Sequence, residues 1–275
     1  MIANDSHPAL ADPALSSSFG SELLPPPDLQ DYVGKGPYHK IGAEFVGYFI
    51  NLCALQPYEA VLDVGCGSGR LAVPLTRYLN SAARYEGFDL SEAAIDWCRE
   101  NISTKFPQFR FQVSDVRNGA YARGNRRRQK ASRYTFPYAD NSFDFVFLTS
   151  VFTHMVSADM ERYAGEVARV MKPGGRCLST FFLLNAESRD LMPKKARFKL
   201  NFKYRSRHGR TLNLFRPEIA MAYDETYVQS LYAQHGLKIL EPIHYGAWCG
   251  REAYLSSQDI VIAVKDSPAV FSSNQ

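Results

Sequence analysis

The sequence predicts an α/β fold, a doubly wound, mostly parallel seven-stranded sheet with helices on both faces. Short apolar runs of strand length alternate with segments whose apolar residues recur at helical spacing. Several of those runs stop abruptly at Gly, Ser or Asp. The 275 residues are 45% hydrophobic and 22% charged, which fits one principal domain and excludes collagen-like and wholly disordered chains.

The first elements begin after a segment of biased composition. Residues 1–30 are rich in Pro, Ser and Ala, and we predict a flexible N-terminal arm. An apolar stripe at 41–52 predicts the first helix, and an apolar run at 60–64 predicts the first strand. That strand runs into a glycine turn at 65–69, after which a helix begins at Arg70.

The later elements repeat this alternation. We predict further strands at 85–89, 109–113, 143–148, 176–184, 237–240 and 259–264. Helices are predicted to begin at Ser91, at Ser157 and near Asp224. Together these elements form one domain over residues 31–266, followed by a flexible tail at 267–275.

Two basic inserts interrupt the domain, at 117–133 and at 185–215. The first holds seven Lys and Arg residues, and 194–210 within the second holds eight, with no acidic residue in either stretch. The rest of the chain is therefore acidic despite a formal net charge of +4. The inserts could recruit an anionic acceptor or nucleic acid. Alternatively, the first is a solvated loop and the second, with its interleaved aromatic residues, a lid or substrate strand.

Several classes of protein do not fit the sequence. No apolar run approaches the roughly 18 residues of a membrane span, and no secretory signal is present, so we predict a cytoplasmic protein. The five cysteines are scattered without a C-x-x-C pair, which favours reduced thiols. No histidines have metal-ligand spacing, and we predict no metal site. The oligomeric state is not predicted.

Acidic residues lie at or next to the ends of the first three predicted strands. These are Asp63, Asp89 and Asp115, and ligands of such sheets bind outside the carboxyl ends of the strands. The spacing Gly65, Gly67, Gly69 differs from the dinucleotide fingerprint, and no Gly-Lys-Ser/Thr of a phosphate loop follows. A turn without side chains still lets a ligand lie close to the backbone, but here that ligand need not be a pyrophosphate.

These residues carry a resemblance to a known family. The segment VLDVGCGSG at 61–69 resembles motif I of class I S-adenosylmethionine-dependent methyltransferases. Residues 87–91, 114–116, 142–146 and 171–176 resemble the family's ribose loop, adenine loop, fourth strand and turn into the fifth strand. The resemblance covers roughly residues 38–265 and is nearest to a group of small bacterial methyltransferase domains. It implies a Rossmann-like fold and a methyltransferase of class EC 2.1.1.-.

The resemblance also implies the cofactor, S-adenosyl-L-methionine, and its ligands. Asp89 would accept the ribose hydroxyls, Asp115 the adenine amine, and Asp63 would act directly or through water near the positive charges. Open N–H groups of the glycine turn and of the start of the following helix would hold the methionine carboxylate. The residues expected to bind the cofactor are Asp63, Gly65, Cys66, Gly67, Gly69, Asp89, Leu90, Asp115, Val116 and Thr149.

The residues that follow the fourth strand bear on the identity of the methyl acceptor. The loop after the fourth strand lacks the Asn/Asp-Pro-Pro-aromatic segment of base-amine methylation and the Pro-Cys pair of cytosine carbon methylation. His154 follows that strand and is either a general base or a structural residue that holds a loop. Phe152, Tyr223 and Trp248 are expected either to line the acceptor pocket or to pack in the core.

The function expected first is O-methylation of a small or medium-sized metabolite by direct displacement. Nucleic acid, an anionic polymer or a carrier-linked substrate, recruited by the basic inserts, is the alternative acceptor. A third interpretation is a cofactor-binding module without catalysis.

Overall fold

The computed structural model describes residues 23–117, 129–197 and 200–267. The helices are α1 (Pro27–Tyr32), α2 (Tyr38–Asn51), α3 (Ala72–Tyr78), α4 (Glu92–Cys98), α5 (Ser157–Val170), α6 (Ala186–Lys195) and α7 (Glu225–Gln234). The strands are β1 (Ala60–Val64), β2 (Arg84–Asp89), β3 (Phe109–Val113), β4 (Val116–Arg117), β5 (Gln129–Lys130), β6 (Phe143–Leu148), β7 (Met171–Phe181), β8 (Leu183–Leu184), β9 (Tyr204–Ser206), β10 (Gly209–Thr211), β11 (Met221–Asp224), β12 (Leu237–Ile239) and β13 (Asp259–Lys265). No described helix has the length and apolar character needed to cross a bilayer.

Seven strands form the main sheet, in the order β12-β13-β7-β6-β1-β2-β3. Neighbours run parallel, except that β13 is antiparallel to both β7 and β12. The chain builds outward from β1 through β2 and β3, then returns to the other side of β1 as β6. The strand order therefore reverses between β1 and β6, where a crevice opens at the carboxyl ends. The predicted fold class is confirmed.

Alternate side chains of the central strands pack into cores on the two faces of the sheet. On one face, Phe145 and Phe147 of β6 contact Phe49 of α2, with ring centroids 5.1 and 4.5 Å apart. On the other face, Val146 belongs to the cluster that includes Tyr163 of α5. This alternation is the period of two that a strand covered on both faces requires.

The fifth strand differs from its prediction at both ends. It begins at Met171, because the Lys-Pro-Gly-Gly segment at 172–175 bulges within the strand instead of ending the helix before it. Gly174 supplies the left-handed backbone, with a φ of 74°, that the bulge needs. The strand ends at Phe181, and Leu183–Leu184 joins a second sheet.

The second sheet has the order β8-β11-β10-β9, and the second basic insert supplies two of its four strands, β9 and β10. Together with α6 it encloses a third core, in which the rings of Phe182, Phe202 and Trp248 lie 5.3 to 5.6 Å apart. The expected lid or substrate strand is thus a helix and a hairpin with their own packing. Most of the first insert, residues 118–128, lies outside the described part of the chain.

The expected arm at 1–30 includes an ordered element. Residues 1–22 lie outside the described chain, whereas Pro27–Tyr32 forms α1. Pro27 at the first helical position and Asp28 in the first turn favour a helix start here. The predicted tail lies almost wholly outside the described residues, which end at 267.

Candidate active site

A cavity of about 480 Å³ opens at the carboxyl ends of the central strands, next to the point where the strand order reverses. It brings together most of the residues selected from the sequence. The predicted residues that line it are Asp63, Gly65, Cys66, Gly67, Asp89, Leu90, Val116, Thr149 and His154. Gly69, Asp115, Phe152, Tyr223 and Trp248 are not part of this lining.

The glycine turn follows β1 and forms the floor of the cavity. Gly67 has a φ of 53°, and a Cβ atom there would lie 2.2 Å from Val33 Cγ1, so only glycine fits. Its N–H donates to Asp89 Oδ2 at 3.0 Å, and the N–H groups of Gly65 and Cys66 donate to the Phe88 carbonyl. These donors are therefore engaged within the protein, contrary to the expectation that the turn leaves them open for a carboxylate.

Asp89 ends β2 and is 8% exposed. Its Oδ1 accepts hydrogen bonds at 2.8 Å from the Tyr32 hydroxyl and from the Ser91 N–H. Burial raises the pKa of this carboxyl, while the hydrogen bonds lower it. Ser91 also caps α4, as predicted, by accepting from the Ala94 N–H. The carboxylate is thus fixed in place by the two elements on either side of it.

Asp63 lies within β1 at the back of the cavity and is 1% exposed. The Tyr85 hydroxyl donates to its Oδ2 at 2.6 Å. Burial, with a smaller contribution from the charge of Asp89, raises the pKa of Asp63 to about 8, and the Tyr85 hydrogen bond opposes this. The carboxyl is therefore largely protonated at pH 7 when no cation is beside it.

The charges of the cavity are unbalanced. Neither Asp63 nor Asp89 forms a salt bridge with a described cationic side chain. Arg70, which also lines the cavity, donates to the Gly34 carbonyl at 3.1 Å, and burial lowers its pKa. Two buried carboxyls without a cationic partner, in the same cavity as a guanidinium that donates to a neutral carbonyl, suit a ligand that brings both signs of charge.

The third strand end differs from expectation. The Asp115 side chain is exposed and lies outside the cavity lining, whereas the buried Ser114 and Val116 on either side line it. Across the cavity, Thr149 lies just after the end of β6. Ser150 follows it with a φ of 59°, and its N–H donates to the Thr180 hydroxyl. The Gln258 amide donates to the Ser150 hydroxyl, which fixes this wall.

His154 ends a short 3₁₀ turn, Phe152–His154, after β6. Its Nδ1 lies 3.0 Å from the carbonyl oxygen of Glu218, so this nitrogen carries the proton and donates. Burial lowers the pKa of the imidazole, and hydrogen bonds with the backbone of Glu218 and Ile219 oppose that shift. The ring therefore both lines the cavity and holds the loop at 217–219.

The three predicted acceptor-pocket aromatics are packed in the core. Phe152 stacks on Phe181 with centroids 5.1 Å apart, and the Tyr223 hydroxyl donates to the Met155 carbonyl. The Trp248 indole N–H donates to Asp259 at 2.7 Å in the third core. All three side chains are buried, because each has close partners within the protein.

The segment that covers the cavity was not predicted as part of the site. Asp31 and Tyr32 of α1, with Val33 and Gly34, line the side opposite the strands. The Ser68 hydroxyl donates to the Leu29 carbonyl at 2.9 Å and joins α1 to the glycine turn. The Pro-Pro-Asp signal of a helix start was present in the sequence, but the segment has no apolar stripe. Among described residues, no cluster of three metal-ligating side chains occurs.

Comparison with known proteins agrees with this geometry. A family model described as a methyltransferase domain matches residues 62–179. The chain is 30% identical over 173 residues to demethylmenaquinone methyltransferase of Halalkalibacterium halodurans, covering 62% of this chain and 58% of that protein. It is 24% identical over 185 residues to an O-methyltransferase of Penicillium expansum, covering 66% and 53%. The chain thus spans less than two thirds of either relative.

A solved structure shows the same fold. The crystal structure of an S-adenosylmethionine-dependent methyltransferase from Methanosarcina mazei aligns with a TM-score of 0.52 at 20% identity, covering 80% of this chain and 98% of that chain. The family match spans β1 to β7, including the glycine turn and the acidic strand ends. Residues 62–179 therefore form a methyltransferase domain of the class I S-adenosylmethionine-dependent type, whose methyl donor is S-adenosyl-L-methionine.

Proposed function

We propose that this chain transfers the methyl group of S-adenosyl-L-methionine to an oxygen atom of a small or medium-sized metabolite. The observation that carries the proposal is the pair of buried carboxyls, Asp63 and Asp89, beside a glycine turn and without a described cationic partner. The cofactor brings an ammonium, a sulfonium and a ribose diol, the groups that such carboxyls bind. The cavity volume is also within the range of small-molecule sites.

Each part of the cofactor has a proposed partner. Asp89 accepts the ribose hydroxyls, with Leu90 and Val116 against the adenine, and Asp63 faces the positive charges. Asp115 remains our proposed acceptor for the adenine amine and must turn inward to reach it. The engaged donors of the glycine turn lead us to assign the methionine carboxylate to Arg70 instead.

When bound, S-adenosylmethionine supplies an electrophilic methyl group on a cationic sulfur for direct displacement. The protein's part is to position the acceptor in line and to exclude water. An acceptor hydroxyl must lose a proton, and we assign His154 as its base. Burial lowers the pKa of this imidazole, so the ring is unprotonated at neutral pH.

The relatives support a small-molecule acceptor. One of them is named for demethylmenaquinone and another is named as an O-methyltransferase. Neither name transfers to this chain, but both belong to proteins that match it over 173 and 185 residues. The mixed polar and apolar lining of the cavity also suits a metabolite better than a folded polymer.

A calorimetric titration tests the cofactor assignment. We expect S-adenosylmethionine to bind the wild-type chain with one site, and Asp89→Ala to weaken binding by about 10-fold or more. Asp96→Ala, an exposed carboxylate on α4, is the matched control and should bind normally. A folded wild-type protein that fails to bind the cofactor contradicts the proposal.

A labelling experiment tests the acceptor. Methyl-labelled S-adenosylmethionine is incubated with the protein and with separate metabolite, RNA and protein fractions of a cell extract. We expect label in the metabolite fraction as a methyl ether or ester. Label in RNA would instead support the nucleic-acid alternative, and cofactor binding without transfer to any fraction would support a non-catalytic module.

A further inference from the structure

An apolar loop projects from the second sheet into solvent. We call residues 213–219, between β10 and β11, the apolar finger. Its Phe215 side chain is 96% exposed, Leu214 is 57% exposed and Ile219 is 36% exposed. Three large apolar residues exposed within a few positions of one another form a patch of the kind that marks an interaction site.

The apolar finger is held by its own hydrogen bonds. The Asn213 side-chain oxygen accepts from the N–H groups of Phe215 and Arg216 at 2.9 and 3.1 Å. At the base of the finger, Thr211 is 2% exposed, and its hydroxyl lies 3.0 Å from the Ala220 carbonyl oxygen. The turn that exposes the Phe215 ring is therefore ordered by hydrogen bonds within the loop.

Basic residues precede the apolar finger in sequence and lie on the β9–β10 hairpin that leads into it. Residues 191–219 contain nine Lys and Arg and one acidic residue, Glu218. Lys203, Arg205 and Arg207 are exposed, and none forms a salt bridge with a described carboxylate. Arg205 lies directly opposite Arg210 across β9 and β10, a pairing of like charges that destabilises the hairpin unless an anion relieves it.

We propose that the apolar finger is a membrane-docking element that inserts Leu214 and Phe215 into the boundary between headgroups and acyl chains of an anionic bilayer. The exposed cations of the hairpin contact the headgroups. Interfacial binding combines apolar side chains that enter the bilayer with Lys and Arg that remain at the anionic surface. Nucleic acid would use the cations but has no comparable site for the aliphatic Leu214 and Ile219, and a second copy would bring like charge against like charge.

The position of the apolar finger relates docking to the cavity. The carbonyl of Glu218, within the finger, accepts from His154, and His154 lines the cavity. Membrane docking would therefore bring the proposed acceptor side of the site near the bilayer. Only this last step rests on the proposed function, because docking itself needs neither cofactor nor methyl transfer.

Vesicle co-sedimentation tests the proposal on the full chain without cofactor. The vesicles contain either phosphatidylglycerol with phosphatidylcholine or phosphatidylcholine alone. We expect binding to the anionic vesicles that weakens as salt increases. The double variant L214S/F215S should weaken that binding by about 10-fold or more. The triple variant K203Q/R205Q/R207Q should lose about fivefold per residue and most of the salt dependence.

Controls separate docking from folding and catalysis. Tyr58→Ser removes another exposed ring, at 60% exposure and in a different part of the fold, and should bind vesicles as the wild type does. Circular dichroism and calorimetric S-adenosylmethionine binding should be unchanged in the finger variants. A failure of cofactor binding in the wild type would thus count against the proposed function and leave the docking result standing.

Three outcomes would overturn the proposal. One is absence of wild-type binding to anionic vesicles. Another is vesicle binding that the L214S/F215S substitutions leave intact, which would assign the interaction to charge alone. If the protein also bound RNA and these substitutions did not weaken that binding, RNA would be the partner instead. The third is a concentration-dependent dimer that these substitutions abolish, which would assign the apolar finger to self-association.

Discussion

At the residue scale, Asp63 is a buried carboxyl of the cavity that carries a proton in the free protein at neutral pH. Its raised pKa of about 8 means that the free protein holds a proton there at pH 7. In the absence of ligand, this burial makes the folded state progressively less stable as the pH rises from about 4 to 8. A salt-bridged aspartate, whose pKa is lowered, would have the opposite effect.

The first prediction concerns proton release. A cation beside Asp63 lowers its pKa, so binding of S-adenosylmethionine at pH 7 should release about one proton, and affinity should increase with pH up to about 8. Calorimetry in buffers of different ionisation enthalpy measures the release. Asp63→Asn, which cannot titrate, is the control and should show neither effect. Proton uptake by the wild type, or no proton exchange, would refute the prediction.

His154 supports a second prediction at this scale. His154→Ala should lower turnover by a factor of about 100 to 10,000 and leave cofactor affinity within about twofold. Because burial lowers the pKa of the ring, wild-type turnover should be flat near pH 7 and fall only as the pH drops well below the ordinary histidine value. Steady-state kinetics over a range of pH measures both.

A conservative variant distinguishes catalysis from loop support. His154→Asn can still donate to the Glu218 carbonyl but cannot act as a base near neutral pH. If it restores activity, the residue is structural and the proposed role in proton transfer is wrong. If it remains inactive with normal cofactor binding, the imidazole itself is required.

At the scale of the element, α1 covers a site that the main sheet builds. Its Tyr32 hydroxyl occupies a position on Asp89 that a ribose hydroxyl would share. Tyr32→Phe removes this competing donor while keeping the ring, so S-adenosylmethionine should bind about 2- to 10-fold more tightly. Titration of this variant beside Tyr58→Phe, an exposed control, checks it. Weaker binding would mean that the hydroxyl contacts the cofactor instead.

The junction between the sheets gives another prediction. Asp259 of β13 is fully buried and accepts from the Leu183 N–H, the Gly246 N–H and the Trp248 indole, with Arg251 at 3.4 Å. Asp259→Ala should lower the free energy of unfolding by about 3–5 kcal/mol, because it leaves three buried donors without an acceptor and removes one of the two carboxylate partners of Arg251, the other being Glu187. Urea denaturation measures this. The exposed Asp266→Ala should change stability little, and equal stability of the two variants would contradict the argument.

The elements that were predictable from sequence are those with a local signal. Several main-sheet strands have apolar runs that stop at Gly, Ser or Asp, and α5 has a clear apolar stripe. By contrast, α1 has six residues and buries none of them, so it has no stripe to detect. The strands of the second sheet are two to four residues long. The burial of Trp248 depends on Asp259, a partner that no local pattern specifies.

The same distinction applies to the site. Asp63, Asp89 and the glycine turn follow from motif order along the strands, and these residues do meet in one cavity. Whether the N–H groups of the turn were open could not be read from the sequence, because the carbonyl of Phe88 and the carboxylate of Asp89 that engage them belong to another strand. Sequence thus located the site, and tertiary contacts determined which of its donors a ligand can use.

At the scale of the whole molecule, the five cysteines are all buried and unpaired. Burial raises the pKa of Cys66, which lines the cavity, so it remains a thiol rather than a reactive thiolate. We expect an aromatic disulfide reagent to react slowly with the thiols of the native protein. In guanidinium chloride, the same reagent should label about five thiols per chain. Absorbance of the released thiolate measures both. Rapid labelling of the native chain would contradict this, and protection by cofactor would identify Cys66 as the site.

The contacts of Asp259 also determine where a chimera between this chain and a relative can be joined. A chimera that exchanges the segment between β7 and β13 would separate one buried carboxylate from donors at Leu183, Gly246 and Trp248. The natural crossover point is therefore beyond Asp259, inside β13, where the carboxylate is inherited with the donors it satisfies. Chimeras joined in the loop before β13 should misfold. Chimeras joined a few residues later should fold and exchange the proposed acceptor side of the site.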